Sequence, residues 1–129
     1  PYDHRAGRFE EALTIITSLI RTGKVDFSGQ FYSALDCELR PRGPRPDGMP
    51  IMIGTFNGER MMRLTAQHAD SWNVRANSTG NRAAGVPALK TQMDAICHSV
   101  GRDPSTLGRS AAVSLVIGFV EAAALENHA

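Results

Sequence analysis

Residues 50–74 read PIMIGTFNGERMMRLTAQHADSWNV, and this stretch decides the fold of the chain. Residues 51–53 are a continuous apolar run, which predicts a short strand buried on both faces. Residues 58–69 carry apolar side chains at helical spacing, and residues 71–74 predict a second strand. A strand, a helix and a second strand in this order are typical of a parallel βαβ unit.

The same alternation continues on both sides of this unit. Before it, the sequence predicts a helix, an extended or hairpin excursion, and an irregular connection that holds four prolines and two glycines: residues 8–21, 25–35 and 40–50. After it, we expect a polar loop, a helix closed by Gly101, and a third apolar strand: residues 75–82, 87–100 and 111–119. The order predicts an α/β fold with about three parallel strands.

Composition indicates one soluble globular domain over residues 1–129. The chain is 42% hydrophobic and 21% charged, with a net charge of +1, which favours neither a nucleic-acid nor a membrane partner. No apolar run approaches the length of a membrane span. Residues 120–129 are rich in alanine, and we expect them to extend as a helix or to be a non-native tail.

The cysteines and histidines give no sign of a metal or catalytic centre. Cys37 and Cys97 lie far apart and in no metal-binding spacing, and no targeting pattern precedes them, so we expect reduced thiols in a cytoplasmic protein. His4, His68 and His98 also lack metal-ligand spacing. We therefore propose no metal ligand and no catalytic acid, base or nucleophile from the sequence.

The glycine-bounded loop after the first parallel strand has the features of an anion site. Gly54 would let a ligand approach the backbone, and Gly58 would lie at the start of the next helix. Unpaired N–H groups and the helix dipole there favour a phosphate, to which Thr55 and Asn57 can add donors. The alternative is that any strand-to-helix turn uses glycine and a cap such as Asn57. Spacing alone favours that alternative.

Three stretches, in their order and spacing, resemble the bacterial luciferase-like superfamily. They are RFEEALTIITSLIRTGKVDFSGQFYSALDCELRPRGPR, then residues 50–74 as quoted, then LKTQMDAICHSVGRDPSTL. The resemblance implies a (β/α)8 TIM barrel and a flavin-dependent monooxygenase or oxidoreductase that uses FMN or a deazaflavin coenzyme. Such barrels typically need about 250 residues. By the resemblance, this chain corresponds to the helix after the fourth strand and to the fifth, sixth and seventh strands of such a barrel. We therefore expect a fragment whose substrate pocket lies largely outside it.

The resemblance also implies roles for several residues. It favours binding of the cofactor phosphate as the role of Gly54, Thr55, Asn57 and Gly58. Trp72, at the end of the second parallel strand, would pack either against an isoalloxazine ring or in the core, and we weigh these equally.

Two arginines complete the candidate set. Arg8 matches an arginine at the start of RFEEAL and would contact the cofactor, or else form an ion pair with a nearby carboxylate. Arg75 would meet an anionic part of the substrate or cofactor, or else be a solvated surface residue.

Three functions remain open at this point. The first is an enzyme fragment that binds a flavin-type cofactor and a small-molecule substrate. The second is a non-catalytic half-barrel that self-associates as a homo-oligomer, because open strand edges and an uncovered apolar face seek a partner. The third is a small doubly wound α/β binding protein, which the three strands and the proline-rich insertion fit less well.

Overall fold

The computed structural model describes residues 4–55, 58–115 and 117. Within these residues the helices are α1 (Arg5–Thr22), α2 (Glu59–His68) and α3 (Val86–Ser99). The strands are β1 (Lys24–Ser28), β2 (Ser33–Glu38), β3 (Met52–Gly54), β4 (Ser71–Val74) and β5 (Gly108–Ala111). Short 3₁₀ turns occupy Ala76–Thr79, Ala83–Gly85 and Pro104–Thr106.

Strands β3, β4 and β5 form one parallel sheet in that order, which confirms the predicted α/β arrangement. The register aligns three rows of residues across the sheet. They are Met52–Ser71–Gly108, Ile53–Trp72–Arg109 and Gly54–Asn73–Ser110. Because successive side chains on a strand point to opposite faces, the middle row lies on one face and the two outer rows lie on the other.

The core lies between this sheet and the helices. Ile53, Trp72 and Val74 project from the helix-facing side of the sheet and belong to one buried cluster. Its helical members include Met62 and Leu64 of α2 and Met93 and Cys97 of α3. The helical spacing that predicted α2 and α3 therefore places their apolar stripes on this face.

The expectation that residues 51–53 are buried on both faces is wrong. Ile53 is 6% exposed, but Met52 beside it is 61% exposed. The helices cover only one face of the sheet, and no described residue covers the other face at Met52. A continuous apolar run cannot show by itself which of its faces is covered.

The third parallel strand also differs from the prediction. It was expected over residues 111–119, but β5 spans Gly108–Ala111. The neighbouring strand β4 ends at Val74, whose carbonyl accepts the last cross-strand bond, from the Ala112 N–H at 2.8 Å. Val113, Leu115 and Ile117 are thus strongly exposed, at 75%, 79% and 88%. Residues 116, 118 and 119 lie outside the described residues.

The predicted excursion is an antiparallel hairpin of β1 and β2, separate from the parallel sheet. Glu11 of α1 holds its tip, because the Glu11 carboxylate accepts the backbone N–H groups of Gln30, Phe31 and Tyr32 at 2.7–2.9 Å. A Cβ on Gly29 would lie 2.4 Å from that carboxylate. The glycine in the DFSGQFY stretch therefore permits this close approach.

Two charged residues hold the amino-terminal end of the parallel sheet and the end of α2 in place. The Asp70 carboxylate accepts the Ile51 backbone N–H at 2.6 Å and pairs with Arg21 of α1 at 2.5 Å. Arg102 donates to the Ala66 and Ala69 carbonyls at the end of α2, at 2.9 and 2.7 Å. The turn at VGRDP, residues 100–104, thus satisfies carbonyl groups at the C-terminal end of α2 that have no partner within the helix.

In the described ranges, no helix has both the length and the apolar character that crossing a bilayer requires.

Candidate functional site

The candidate site lies where the parallel strands end and α2 begins. Gly54 ends β3, and Gly58 is the N-cap of α2, four residues later. Between them, the backbone N–H of Thr55 donates to the Asn73 carbonyl at 3.2 Å, so Thr55 extends the pairing of β3 with β4. Chemistry in parallel α/β proteins gathers at this edge of the sheet, because the loops that leave it are free to vary. Phe56 and Asn57 lie outside the described residues.

Gly58 must be glycine for conformational reasons. Its φ of +83° lies in the left-handed region, where other residues are strained. A Cβ at this position would meet no atom of the described residues within 4 Å, so those residues leave the space above the start of α2 open. The first N–H groups of α2 follow Gly58 directly and, as in any helix, have no acceptor within the helix ladder.

Gly54 has a different reason to be glycine. Its backbone is not left-handed, and a Cβ there would have the Asn73 carbonyl oxygen, at 3.9 Å, as its nearest neighbour. Neither strain nor crowding within the described residues therefore excludes a side chain. The missing side chain leaves space on the open face of the sheet, beside the start of α2.

The charges around the start of α2 are partly paired. Glu59, in the first turn, would repel an anion, but it pairs with Arg63 at 3.0 Å. Arg60 pairs with Glu10 of α1, which joins the beginnings of the two helices. An incoming phosphate would therefore meet backbone N–H groups and the helix dipole more than any unpaired positive side chain.

A cleft of about 690 Å³ separates the first turns of α1 and α2. Phe31, at the hairpin tip, forms one wall and packs on Gly7, whose Cβ would lie 2.9 Å from the Phe31 ring. Arg60 and Met61 of α2 form part of the opposite wall. The cleft places aromatic and cationic groups next to the glycine-bounded loop.

Arg8 lies beside this cleft rather than over the loop. Its guanidinium carbon is 4.9 Å from the centre of the Phe31 ring, a cation–π contact. Burial acts to raise the pKa of the Glu11 carboxyl, but the three backbone N–H donors and the Arg8 charge outweigh it, and the pKa of Glu11 is lowered. This charge interaction with Glu11 favours the second role that the sequence left open for Arg8, an ion pair with a nearby carboxylate.

Trp72 lies on the helix-facing side of the sheet and is 3% exposed. Its indole N–H donates to the Thr55 carbonyl at 2.7 Å. This placement favours core packing over direct stacking on a cofactor ring. It also gives Trp72 an indirect role, because its hydrogen bond fixes the first residue of the glycine-bounded loop.

Arg75 follows β4 directly and is exposed at the start of the Ala76–Thr79 turn. It lies at the same edge of the sheet as Gly54. The structure therefore brings Gly54, Thr55, Gly58 and Arg75 to one end of the molecule, with Arg8 near the cleft and Trp72 beneath the loop.

The described residues offer binding groups rather than acid–base machinery. Nowhere in the described ranges do three or more His, Cys, Asp or Glu side chains gather as metal ligands. Cys97 is fully buried, and burial raises the pKa of its thiol, which keeps it protonated. Burial likewise lowers the pKa of His68, which lies at the far end of α2.

Sequence reasoning missed the residues that line the cleft. Phe31 and Arg60 are 29 positions apart, and only the packing of the hairpin on α1 brings them together. The available signal was the GER triplet, which places an arginine in the first turn of α2. Nothing in the sequence indicated that the hairpin tip would reach this point.

Two known proteins are similar in sequence to most of the chain. The chain is 28% identical over 104 residues to the pyrimidine monooxygenase RutA of Allorhizobium ampelinum, an alignment that covers 78% of the chain and 28% of the relative. It is 27% identical over 123 residues to the F420-dependent hydroxymycolic acid dehydrogenase of Mycobacterium tuberculosis, covering 95% of the chain and 32% of that relative. The matched stretches thus span less than a third of each relative.

The family described as luciferase-like monooxygenase matches residues 1–129. The match covers the glycine-bounded loop, the parallel sheet and all three helices. The chain belongs to the luciferase-like monooxygenase family.

Proposed function

We propose that the chain supplies part of the cofactor-binding region of a flavin- or deazaflavin-dependent oxidoreductase or monooxygenase. In this proposal it is a segment of a (β/α)8 barrel in a cytoplasmic enzyme, and the remaining strands belong to the same barrel. The single observation that carries the proposal is the open space above Gly58. There a Cβ on Gly58 would have no described atom within 4 Å, and the first N–H groups of α2, which follow Gly58, have no acceptor within the helix.

The residues present fit an anionic cofactor group. The phosphate would accept N–H groups from the first turn of α2, with Thr55 and Asn57 as the adjoining loop residues. Gly54 would leave room for the cofactor to pass over the sheet edge, because its position on the open face carries no side chain. Arg8, which lies beside the neighbouring cleft, would add positive charge at longer range, and Arg75 would face the substrate side.

The chain would bind, orient and shield, while the redox chemistry belongs to the cofactor. A flavin or deazaflavin supplies hydride or oxygen chemistry when it is bound. Trp72 would act through Thr55, holding the loop in position by its hydrogen bond to the carbonyl. The names of the relatives support a small-molecule substrate and a deazaflavin coenzyme, since one is a pyrimidine monooxygenase and the other an F420-dependent dehydrogenase.

A matched pair of glycine variants tests the proposed phosphate site at Gly58 and the first turn of α2, which we call the phosphate seat. Gly58 and Gly43 both have positive φ, at +83° and +75°, and a Cβ at either would meet no described atom within 4 Å. Gly58→Leu and Gly43→Leu should therefore both introduce backbone strain without a steric clash with a described residue. We expect Gly58→Leu to weaken FMN binding by about tenfold or more and to leave riboflavin binding unchanged, since riboflavin lacks the phosphate.

The control fixes the interpretation of that result. Gly43→Leu should bind FMN as the unmodified chain does. Equal FMN affinity in the Gly58→Leu and Gly43→Leu proteins would refute the phosphate seat, and isothermal titration calorimetry measures both affinities directly.

A second candidate function is self-association. The open sheet face and the segment after β5 expose Met52, Val113, Leu115 and Ile117, and β3 and β5 each have one paired edge among the described residues. Exposed apolar side chains next to open strand edges favour pairing with a second copy. Light scattering across a hundredfold concentration range would show a dimer or larger oligomer, whereas a monomer at every concentration would rule this function out.

A further inference from the structure

The open face of the parallel sheet carries a polar pair at its carboxyl-terminal row. Asn73 on β4 and Ser110 on β5 are aligned in register, and the Asn73 side-chain amide donates to the Ser110 hydroxyl oxygen at 2.8 Å. Gly54 completes the row on β3 and contributes no side chain. This row lies opposite the buried core row and is next to the glycine-bounded loop.

The hydrogen bond leaves a specific pattern of free groups. Asn73 uses an amide N–H, so its carbonyl oxygen Oδ1 remains an acceptor. Ser110 accepts that bond, so its own O–H remains a donor. No residue in the described part of the chain takes up either group. An acceptor and a donor therefore stand side by side on an accessible surface.

We propose that Asn73 and Ser110 bind a ligand through a lactam edge, meaning a ring N–H next to a ring C=O. The ring N–H would donate a hydrogen bond to Asn73 Oδ1, and the ring carbonyl would accept a hydrogen bond from the Ser110 hydroxyl. Gly54 gives this ring its space, because a side chain there would project from the same face. Paired donors and acceptors of this kind discriminate strongly, since a ligand that lacks one group leaves its partner unsatisfied.

Two ligand sources share this chemistry. The pyrimidine ring of an isoalloxazine or deazaisoalloxazine has a lactam edge, and so does a free pyrimidine such as uracil. This inference rests on the proposed function for its location beside the cofactor phosphate. It concerns the ring-binding residues and not the phosphate seat, so the two can fail separately.

The test compares ligands with and without the ring N–H. Lumiflavin and 3-methyllumiflavin represent the cofactor ring, and uracil and 1,3-dimethyluracil represent the free pyrimidine. We expect the unmethylated member of at least one pair to bind the chain about tenfold more tightly. Preference within the lumiflavin pair assigns the edge to the cofactor, and preference within the uracil pair alone assigns it to a substrate.

Variants then locate the preference. Asn73→Ala and Ser110→Ala should each abolish it, whereas Ser71→Ala, two residues earlier on the same face, should retain it. Gly54→Ala should keep or raise the urea midpoint, because its Cβ meets open space, yet it should weaken binding of the preferred ligand. This combination separates a ligand-binding role from a structural one.

Different results would contradict the lactam-edge inference and the phosphate seat. No N–H preference in either pair, a preference that survives Asn73→Ala, or no saturable binding of any probe would overturn the inference. If the preference holds but FMN gains nothing over lumiflavin from its phosphate, only the phosphate seat fails. If the phosphate matters and depends on Gly58 while methylation has no effect, only the lactam pair fails.

Discussion

Replacing Trp72 with phenylalanine should destabilise the protein even though an aromatic ring remains. The indole N–H donates to the Thr55 carbonyl at 2.7 Å, and both residues are buried, with exposed fractions of 3% and 9%. Phenylalanine would leave that buried carbonyl without this donor, at a cost of about 1–3 kcal/mol. The smaller ring also leaves a void that costs on the order of 1 kcal/mol.

The expected loss in the free energy of unfolding is therefore about 2–4 kcal/mol, a large part of the roughly 5–15 kcal/mol typical of a domain. Urea unfolding should be followed by circular dichroism, because Trp72 is the only tryptophan and its replacement removes the fluorescence signal. Leu115→Ala serves as the control, since Leu115 is 79% exposed and its truncation should change stability by less than about 0.5 kcal/mol. Trp72→Phe behaving like that control would refute the buried, hydrogen-bonded placement of Trp72.

Three further variants test the contacts that position the site. Burial acts to raise the pKa of Asp70, but the Ile51 N–H and Arg21 outweigh it, so the pKa is lowered in the folded state. The ionised Asp70 carboxylate therefore stabilises the fold, and this stabilisation is lost as the pH falls from about 4 through the folded-state pKa. Asp70→Asn should accordingly lower the urea midpoint more at pH 7 than at pH 2.5; an equal drop at both would contradict this. Glu11→Gln should speed amide hydrogen exchange at residues 30–32 several-fold, because a neutral amide accepts their three N–H groups poorly; unchanged exchange would show that the carboxylate does not hold the hairpin tip. Arg102→Lys should cost about 1–3 kcal/mol in urea unfolding, because lysine cannot span the two α2 carbonyls and Thr106 together, and a neutral result would remove Arg102 as the closing group of α2.

Local patterns predicted the elements of the fold well. Helical spacing found α1, α2 and α3 to within three residues, because each has an apolar stripe and a glycine or a polar turn near its end. The β4 strand was predicted at its observed bounds, since Asp70 and the polar loop after Val74 delimit it on both sides. These signals are local, and neighbouring residues are enough to produce them.

The failures all concern neighbours that are distant in sequence. The apolar run after residue 111 predicted a long strand, but pairing stops where β4 stops, and the length of β4 is not written in the β5 sequence. Met52 was expected to be buried because the run around it is apolar, yet no described element covers its face. Strand length and burial depend on partners, so one strand taken alone cannot give them.

The candidate site shows the same division. The glycine-bounded loop was found from spacing and family resemblance, and the structure gives Gly58 its left-handed backbone and open space. The side-chain direction of Trp72 was left open, because one residue at a strand end can face either layer until the register is known. The pairing of Asn73 with Ser110 spans 37 positions and could be recognised only once the strands were aligned.

The amide signals at the start of α2 test the proposed phosphate seat most directly. A ¹⁵N-labelled chain would be titrated with FMN and, separately, with riboflavin, while the amide shifts of Gly58, Glu59 and Arg60 are recorded. The start of α3, at Ala88 and Leu89, provides an internal control, since it is also a helix N-terminus. Binding at the proposed seat would shift the three α2 amides saturably with FMN, much less with riboflavin, and leave the α3 amides in place. Equal shifts with riboflavin, or FMN shifts that spare the start of α2, would contradict a phosphate seat at Gly58.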